Sequence, residues 1–365
     1  MELMMAGEMK AEISRSFVLE LANSISSLDS TFDAEHFLQI LDNQWIDREL
    51  KDRISTVAKG LGEAFNSSYS DSLETLCLAT EGCSGLKALT FPEYVSQFGL
   101  NHWQESMHAL ERFTLLCSSE FAVRIFIRAD EKKMMKQLMA WADSSNHHLR
   151  RLASEGCRPR LPWSQPLRRF IADPSPVIDV LEKLIEDDEE YVCRSVANNL
   201  NDISKDHPEL ALQLAERWIV KKGKAAWIVK HGLRTLLKKG NTQAMRLFGF
   251  ADPSSIAVSE VAIGSGVVSI GDSEDVVIRF DVESSEPEKL RVECAVGYLK
   301  ANGKHSEKVF QVGEYHLGRG QYSKTKRLSF KQMTTRKHYP GEHYIVAIIN
   351  GQRKKRTEFV VEETV

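Results

Sequence analysis

The sequence has few of the features that place a protein outside the cell or in a membrane. Its six cysteines are scattered, without the C-x-x-C spacing of a zinc knuckle or the pattern of a secreted disulfide framework. No run approaches the roughly 18 apolar residues that suggest a membrane span. The N-terminus, "MELMMAGEMKAEISRSF", has acids where a signal peptide needs basic residues and an unbroken apolar core. We therefore expect a cytoplasmic protein.

Several catalytic motifs are missing as well. The glycine-containing stretch "HLGRGQYSKTK" lacks the spacing of a phosphate-binding loop, and no nucleophile elbow with a Ser/His/Asp set is evident. His147, His148 and Cys157 lack the fixed spacing of metal ligands. We expect neither a metal ion nor an organic cofactor.

Acidic and basic residues are distributed unevenly along the chain. Residues 1–60 contain eleven acids and six bases, whereas residues 300–357 contain fourteen Lys or Arg and three acids. The net charge of −3 averages these unlike regions. A stretch as basic as the second favours a polyanionic partner. The length of 365 residues and the apolar content of 42% are about right for two domains.

From about residue 10 to 250 the pattern is helical. Segments such as "FVLELANSISSL" and "SMHALERFTLL" repeat apolar residues at steps of three and four. Three segments within this region also resemble one another, each with a basic residue followed by small and apolar positions: 147–161, 190–204 and 227–240.

Aligning Arg151, Arg194 and Lys230 in these three segments gives steps of 43 and 36 residues, which are typical of HEAT-type helical repeats. Glu155, Asn198 and Arg234 then share one position, a turn further along. The sequence therefore predicts a stacked helical solenoid whose second helices form a concave face.

Beyond "FADPSSIAVSE" (250–260) the pattern changes to short β-branched runs separated by turns such as "NGK" and "PGEH". About seven short strands in about 110 residues suggest an immunoglobulin-like β-sandwich. We therefore predict a multidomain protein with an all-α HEAT-like solenoid over residues 1–252 and an all-β sandwich over 253–365. Basic segments at 331–338 and 352–358 would give the sandwich a second DNA-binding surface or edges protected against aggregation.

Residues 146–163, "NHHLRRLASEGCRPRLPW", stand out because arginines surround a single carboxylate, Glu155. Together with "RSVANNLNDISKDHP" (194–208) and "VKHGLRTLLKKG" (229–240), this stretch resembles the AlkC branch of the AlkD/AlkC family of DNA alkylation-repair glycosylases. The resemblance covers roughly residues 10–252. Some AlkC-type members carry an appended immunoglobulin-like domain, which fits the C-terminal part.

The resemblance implies a monofunctional DNA N-glycosylase for cationic bases such as 3-methyladenine and 3-methylcytosine, which acts in duplex DNA and leaves an abasic site. A fixed carboxylate would stabilise the oxocarbenium-like sugar in the transition state, and no metal would be needed. Arginine neighbours favour the charged form of a carboxylate. We therefore expect Glu155 to take this role. Asp202 could share it, Trp163 could place its indole against the cation, and Glu120 with Phe121 could border the lesion.

The basic residues are expected to bind phosphates of duplex DNA, since such contacts dominate affinity. The acid-free run 217–240 contributes several of them. The expected DNA-binding residues, beside Phe121, are Arg150, Arg151, Arg158, Arg160, Arg194, Asn198, Lys221, Lys222, Lys224, Lys230, His231 and Arg234.

Other roles are open for several of these residues. HEAT helices often use an acid or arginine for contacts between repeats, Trp163 could fill an interhelical turn, and Asp202 could cap a helix. The rival interpretation is a non-catalytic HEAT scaffold that binds DNA or protein through the same face, because fold does not fix function. A scaffold would not need Glu155 and Trp163 together. We expect a monomer, since one duplex would fill the concave face.

Overall fold

A computed structural model describes residues 9–80, 82–333 and 337–363. These residues form two compact units. The helical unit contains the chain up to 207 together with 217–232, and the sandwich unit contains 208–216 and the chain from 233 onward. Within the described ranges, no helix is long and apolar enough to cross a membrane.

The helices are short, from five to seventeen residues. In chain order they are α1 (Arg15–Leu28), α2 (Ala34–Leu38), α3 (Leu50–Ala64), α4 (Tyr69–Ala79), a 3₁₀ turn (Leu86–Leu89), α5 (Thr90–Phe98), α6 (Trp103–Phe113), α7 (Glu120–Ala129), α8 (Glu131–Ala142), α9 (His147–Gly156), α10 (Arg168–Ala172), α11 (Ser175–Leu184), α12 (Glu190–Asp206), α13 (Pro208–Trp218), α14 (Ala225–Gly232), α15 (Arg234–Lys238) and α16 (Thr242–Leu247).

Polar caps define where several of these helices begin. The side chains of Ser14, Asp130 and Asn146 accept hydrogen bonds from backbone N–H groups in the first turns of α1, α8 and α9. Such caps satisfy donors that the helix itself leaves unpaired. They are the short polar residues that the sequence pattern places between apolar runs.

The helical unit has two rows of helices. In the first row α3, α5, α7, α9, α12 and α14 each pack on the next, and in the second row α1 packs on α4 and α4 on α6, while α8 packs on α11. The three helices that carry Arg151, Arg194 and Lys230 are therefore neighbours, as the repeat predicts. The predicted HEAT-like fold is confirmed.

One predicted helix is broken. The segment 227–240 forms two helices, because α14 ends at Gly232 and the backbone of Leu233 (ψ 9°) leaves the helical region before α15 begins at Arg234. A Cβ on Gly232 would lie 2.6 Å from Cδ2 of Leu200, so α14 approaches α12 closely here. The expectation that Arg234 lies one turn beyond Lys230 on the same helix is therefore wrong.

The sandwich unit contains eight described strands, one more than the sequence suggested. They are β1 (Ile256–Ile263), β2 (Val267–Ser269), β3 (Ser273–Val282), β4 (Glu288–Leu299), β5 (His305–Leu317), β6 (Gly320–Ser329), β7 (Gly341–Ile349) and β8 (Gln352–Glu362). One sheet has the order β1-β3-β6 and the other β2-β8-β7-β4-β5. All described pairs are antiparallel except β2 with β8. The predicted β-sandwich is confirmed.

Alternating residues of the two sheets form a single apolar core. Ile278 and Phe280 from β3 share it with Val292 and Cys294 from β4 and Ile345 from β7. Alternation in and out of the pleated sheet explains why these positions are spaced by two. Cys294 lies in this core as a free, buried thiol.

Of the two predicted basic segments of the sandwich, residues 352–358 are described in full and residues 331–338 in part. Residues 352–358 lie on β8, where Lys354 donates to the carbonyl of Pro253 at 2.6 Å and Arg353 pairs with Glu307. In the segment 331–338, residues 334–336 lie outside the described residues.

Candidate active site

Three acids from three neighbouring helices lie in one group of charges. Glu120 begins α7, Glu155 lies in the last turn of α9, and Asp202 lies near the end of α12. Arg151 and Arg158 join them. We call these five residues the acid–arginine cluster.

Arg151 connects the two acids of α7 and α9. Its Nη1 lies 2.5 Å from Oε2 of Glu120, and its Nη2 lies 3.4 Å from Oε1 of Glu155. Residues four apart on a helix share one face, which puts Arg151 beside Glu155. The guanidinium also lies over the ring of Tyr191, 4.7 Å from its centroid. Arg151 is therefore fixed from three sides.

Arg158 connects the acids of α9 and α12. Its Nη1 donates to Oε1 of Glu155 at 2.7 Å, and its Nε donates to Oδ2 of Asp202 at 2.9 Å. Burial lowers the pKa of Arg158, but the two carboxylates raise it more, so that the pKa is above its ordinary value. Lys205 adds a further ion pair to Asp202 at 3.0 Å.

This position of Arg158 differs from the expected one. The residue is only 6% exposed, so its guanidinium is turned toward carboxylates inside the protein and not toward solvent. A phosphate of DNA that bound Arg158 would compete with Glu155 and Asp202 for the guanidinium. In the structure Arg158 links these two acids, and its contact with DNA stays a prediction.

Serine hydroxyls form hydrogen bonds with charged groups of the cluster. Ser195 donates to Oε2 of Glu155 at 2.6 Å, and Ser154 donates to Ser195 at 2.5 Å. On the other side, Ser118 lies between Arg151 and Glu120, at 2.5 Å from Nη1 and 2.8 Å from Oε2. These hydroxyls fix the orientation of both glutamates.

The three acids differ in what remains available to a ligand. Both oxygens of Glu155 accept hydrogen bonds, and the side chain of Asp202 is only 1% exposed. Glu120 has 13% of its side chain exposed, and its Oε1 accepts no hydrogen bond from any described residue. Of the three, Glu120 offers the most accessible oxygen.

A pocket of about 430 Å³ is lined by both predicted aromatic residues and by Ser118, which donates to Glu120. Ser118, Phe121 and Trp163 line it, and Lys51 places its ammonium 5.0 Å from the centre of the Phe121 ring. Trp163 is 55% exposed and has a φ of 62°, a backbone region that bulky residues rarely adopt. The indole is thus presented to solvent at a pocket that Ser118 also lines, and Ser118 bonds Glu120 and Arg151 of the acid–arginine cluster.

Three other predicted arginines are paired with acids of the protein. Arg150 binds Asp187 through two hydrogen bonds, of 2.6 and 3.2 Å. Arg160 binds Asp206 in the same bidentate way, and Arg194 pairs with Glu190. These contacts are ladder-like links within or between repeats, and phosphate binding by these arginines stays a prediction.

Three lysines of 217–240, at positions 221, 222 and 224, lie just before the start of α14. Lys222 and Lys224 are exposed, and Nζ of Lys224 donates to the carbonyl of Asp188 at 2.6 Å. Lys221 lies 3.9 Å from Glu182. The remaining predicted residues are Asn198 on α12, Lys230 and His231 on α14, all partly buried, and Arg234, which belongs to the sandwich unit.

A set of aromatic residues on the first row was not predicted from the sequence. His148, Tyr191 and Trp227 each lie three residues before the aligned basic positions of α9, α12 and α14. Tyr191 and Trp227 are 43% exposed, and the Trp227 ring stacks on His231 at 5.0 Å. The repeat alignment contained this signal, but aromatic residues at helical spacing are more often part of a core.

The described residues contain no group of three or more His, Cys, Asp and Glu side chains that could hold a metal ion. The site is thus a set of fixed charges, hydroxyls and one exposed indole. Such a site can bind and stabilise positive charge at its acids, and each arginine lies between two of them.

Comparison with known proteins identifies relatives over nearly the whole chain. A family model described as the C-terminal Ig-like domain of the uncharacterised protein YhaZ matches residues 257–363. The uncharacterized protein YhaZ of Bacillus subtilis (strain 168) is 41% identical over 356 residues, which cover 97% of this chain and 99% of that protein.

A solved structure matches over a similar length. It is the alkylpurine DNA glycosylase AlkC of Pseudomonas fluorescens, bound to DNA containing an abasic site analog. The TM-score is 0.93 at 34% sequence identity, and the match covers 97% of this chain and 99% of that one. The chain therefore belongs to the AlkC branch of the AlkD/AlkC family of DNA alkylation-repair glycosylases, and its C-terminal part is an immunoglobulin-like domain.

Proposed function

We propose that this protein is a monofunctional DNA glycosylase that removes cationic alkylated bases, such as 3-methyladenine and 3-methylcytosine, from duplex DNA. The observation that carries the proposal is the acid–arginine cluster, in which two arginines hold three carboxylates. Ser118, which donates to Glu120, also lines the pocket that contains the exposed indole of Trp163. The similarity to a solved alkylpurine glycosylase on DNA supports the same activity.

The chemistry needs few catalytic groups. An N3-methylated base is already positively charged, so it can leave with the electron pair of the C1′–N bond as a neutral base. Neither a general acid nor a metal ion is required for that departure. Positive charge develops on the sugar as the bond stretches, and a fixed carboxylate nearby lowers the energy of this state. Water then adds to C1′ and loses a proton, which leaves an abasic site and an uncut strand.

The geometry suggests how the acids divide this work. Glu155, which the sequence analysis ranked first, is fixed by Arg158 and Ser195 and would act through its charge. Glu120 would face the sugar directly, because one of its oxygens accepts no hydrogen bond from a described residue. Asp202 would hold Arg158 in place. All three are thus proposed to serve the reaction, with only Glu120 in contact.

The aromatic residues at the pocket would bind the lesion. Trp163 can place its indole face against a cationic base, an interaction worth roughly 0.5–2 kcal/mol. Phe121 lines the same pocket. A neutral base would lose this attraction, so that the pocket would favour the charged lesion over undamaged bases.

Exposed basic residues such as Lys222 would contact phosphates on either side of the lesion. Each such contact releases a counterion and steepens the fall of affinity with salt. Affinity of this kind would also be seen in a non-catalytic scaffold. Only the release of free base separates the two functions.

The test is free-base release from methylated duplex DNA, resolved by chromatography. Wild type is compared with Glu120→Gln and Glu155→Gln, and Glu190→Gln is the control because Glu190 is an exposed acid on α12 that pairs with Arg194. We expect both cluster variants to release base at least about a hundredfold more slowly, and the control to match wild type. Binding to duplex DNA should persist in all four proteins.

Three results would contradict parts of the proposal. If wild type binds DNA but releases no base, the protein is a scaffold and the glycosylase function fails. If Glu155→Gln is active and Glu120→Gln is not, the charge of Glu155 is dispensable. If both are active, the carboxylate role fails, and Asp202→Asn becomes the variant to measure.

A further inference from the structure

The segment between α9 and α10, residues 157–167, carries both Arg158 and Trp163. We call it the Trp163 loop. It is not helical, it contains three prolines, and Trp163 has its unusual φ of 62° in the middle. A bulky residue keeps such a backbone conformation only when the surrounding structure holds it there. The contacts that hold this loop therefore control where the indole lies.

One side chain, Arg124 of α7, joins the two ends of the Trp163 loop. Its Nη1 donates to the carbonyl of Gly156 at 3.2 Å and to that of Arg158 at 2.7 Å. Its Nη2 donates to the carbonyl of Gln165 at 2.8 Å. A guanidinium is planar and rigid, so these three bonds fix the separation of the two loop ends.

Close packing of α7 against α9 allows this reach. A Cβ on Gly156 would lie 2.3 Å from Cγ2 of Val123, so that only glycine fits at this contact. Arg124 follows Val123 in the chain and is only 1% exposed. The loop is thus held from inside the protein, where water does not compete for its carbonyls.

The charge of Arg124 is directed at backbone carbonyls and not at an acid. Burial lowers its pKa to about 10, which still leaves the group protonated at neutral pH. The carbonyl of Gly156 belongs to the C-terminal turn of α9, where the helix dipole favours a cation. The position is therefore adapted to a buried arginine.

We propose that Arg124 is a positioning residue for the glycosylase site: it holds the Trp163 loop so that Arg158 stays on its acids and the indole stays at the pocket. This inference rests on the proposed function. It predicts that the loss of Arg124 affects the reaction step more than it affects DNA binding.

A matched control exists in the same unit. Arg53 of α3 is 7% exposed and donates to four backbone carbonyls, those of Lys10, Ile13, Ile46 and Arg48. Arg53→Met therefore removes an equally buried arginine whose bonds hold the segments before α3 and not the Trp163 loop.

The experiment compares wild type, Arg124→Met, Arg124→Lys and Arg53→Met in the full chain. Three properties are measured: the single-turnover rate of base release at saturating protein, the Kd for duplex DNA with an abasic-site analogue, and the rate of trypsin cleavage after Arg160. The last is independent of activity. Trypsin does not cut the Arg158–Pro159 bond, so the Arg160–Leu161 bond reports on the loop.

We expect Arg124→Met to slow base release at least about tenfold while Kd changes less than about threefold, because orientation and not binding is lost. Cleavage after Arg160 should become at least about tenfold faster. Arg124→Lys keeps a cation but cannot span both loop ends, so it should recover only part of each property. Arg53→Met should match wild type in all three.

Equal slowing of base release in Arg53→Met and Arg124→Met would overturn the inference, since the effect would then be general destabilisation. Unchanged trypsin cleavage in Arg124→Met would overturn it as well. If Arg124→Met does not fold, Arg124→Lys carries the same comparison. If wild type releases no base, the proposed function fails, but the cleavage rates still decide whether Arg124 holds the loop.

Discussion

The guanidinium of Arg151 lies 2.5 Å from the carboxylate of Glu120, which belongs to a different helix. The same guanidinium lies 3.4 Å from Glu155. Two acids that would otherwise repel each other therefore share one cation. Arg151 therefore places one positive charge between the two carboxylates and links α7 to α9 through them.

Replacement of Arg151 by methionine should therefore reduce base release by about tenfold to a hundredfold, because the guanidinium that holds Glu120 and Glu155 in position is lost. Arg150→Met is the control. Arg150 precedes it on α9 but pairs with Asp187 outside the cluster. Single-turnover rates at saturating protein give the comparison. An equal decrease in the rate of base release in the two variants would show that Arg151 has no specific role in the reaction.

Asp202 and Asp206 lie one turn apart on α12, and each pairs with an arginine of the Trp163 loop. Asp202 is buried with Arg158, so Asp202→Asn should lower the free energy of unfolding by about 2–3 kcal/mol, because Arg158 then loses one of its two carboxylate partners. Asp206 and Arg160 are more exposed, and Asp206→Asn should cost at most about 1 kcal/mol. Urea unfolding followed by helical circular dichroism measures both values. A similar cost for both variants would mean that solvent reaches the Arg158–Asp202 pair.

Much of the fold is predictable because its signals are local. Apolar spacing of three and four predicts helices, alternation predicts strands, and a repeat of about forty residues predicts stacked helix pairs. The break at Leu233 is not predictable in this way. It lies next to the close approach of Gly232 to Leu200, two residues on different helices that are brought together only by packing.

The site was predictable in its acids and less so in its arginines. The sequence pointed to Glu120, Glu155 and Asp202, and the structure brings all three together. It also suggested that the neighbouring arginines face DNA. Arg158 instead turns inward and binds Asp202 on α12. This pairing was not predictable, because the two residues are 44 positions apart in the chain. Arg124 gave no signal, since its partners are backbone carbonyls.

The contact between Gly156 and Val123 offers a test of the packing below the site. Gly156→Ala should destabilise the protein by about 1–3 kcal/mol, because the added methyl overlaps the Val123 side chain and pushes α7 from α9. Gly318→Ala is the control, since its added Cβ would find its nearest atom 4.0 Å away.

The double variant Gly156→Ala/Val123→Ala tests the cause. If overlap with Val123 is responsible, the double variant should be less destabilised than the sum of its two single variants. Additive losses would place the clash elsewhere. Thermal unfolding midpoints and urea unfolding give the four values of the cycle.

His343 of β7 should make the sandwich unit sensitive to mild acid. The ring is buried, its Nδ1 accepts from the backbone of Leu299 at 3.4 Å, and its Nε2 lies 2.9 Å from the carbonyl of Tyr339. A ring that accepts at one nitrogen and donates at the other is neutral. Burial lowers the pKa of His343 below its ordinary value of 6.5.

The sign of the effect follows from that direction. Above pH 6.5 the ring is neutral in both the folded and the unfolded chain, so His343 adds no pH dependence. As the pH falls below 6.5, His343 becomes protonated in the unfolded chain but stays neutral in the folded chain. The free energy of unfolding therefore decreases until the pH reaches the lowered pKa of His343. Calorimetry between about pH 8 and about pH 5 should show this loss in wild type and a smaller one in His343→Asn. His316→Asn, which changes an exposed histidine of β5, should keep the wild-type dependence, and a flat profile in wild type would contradict the assignment.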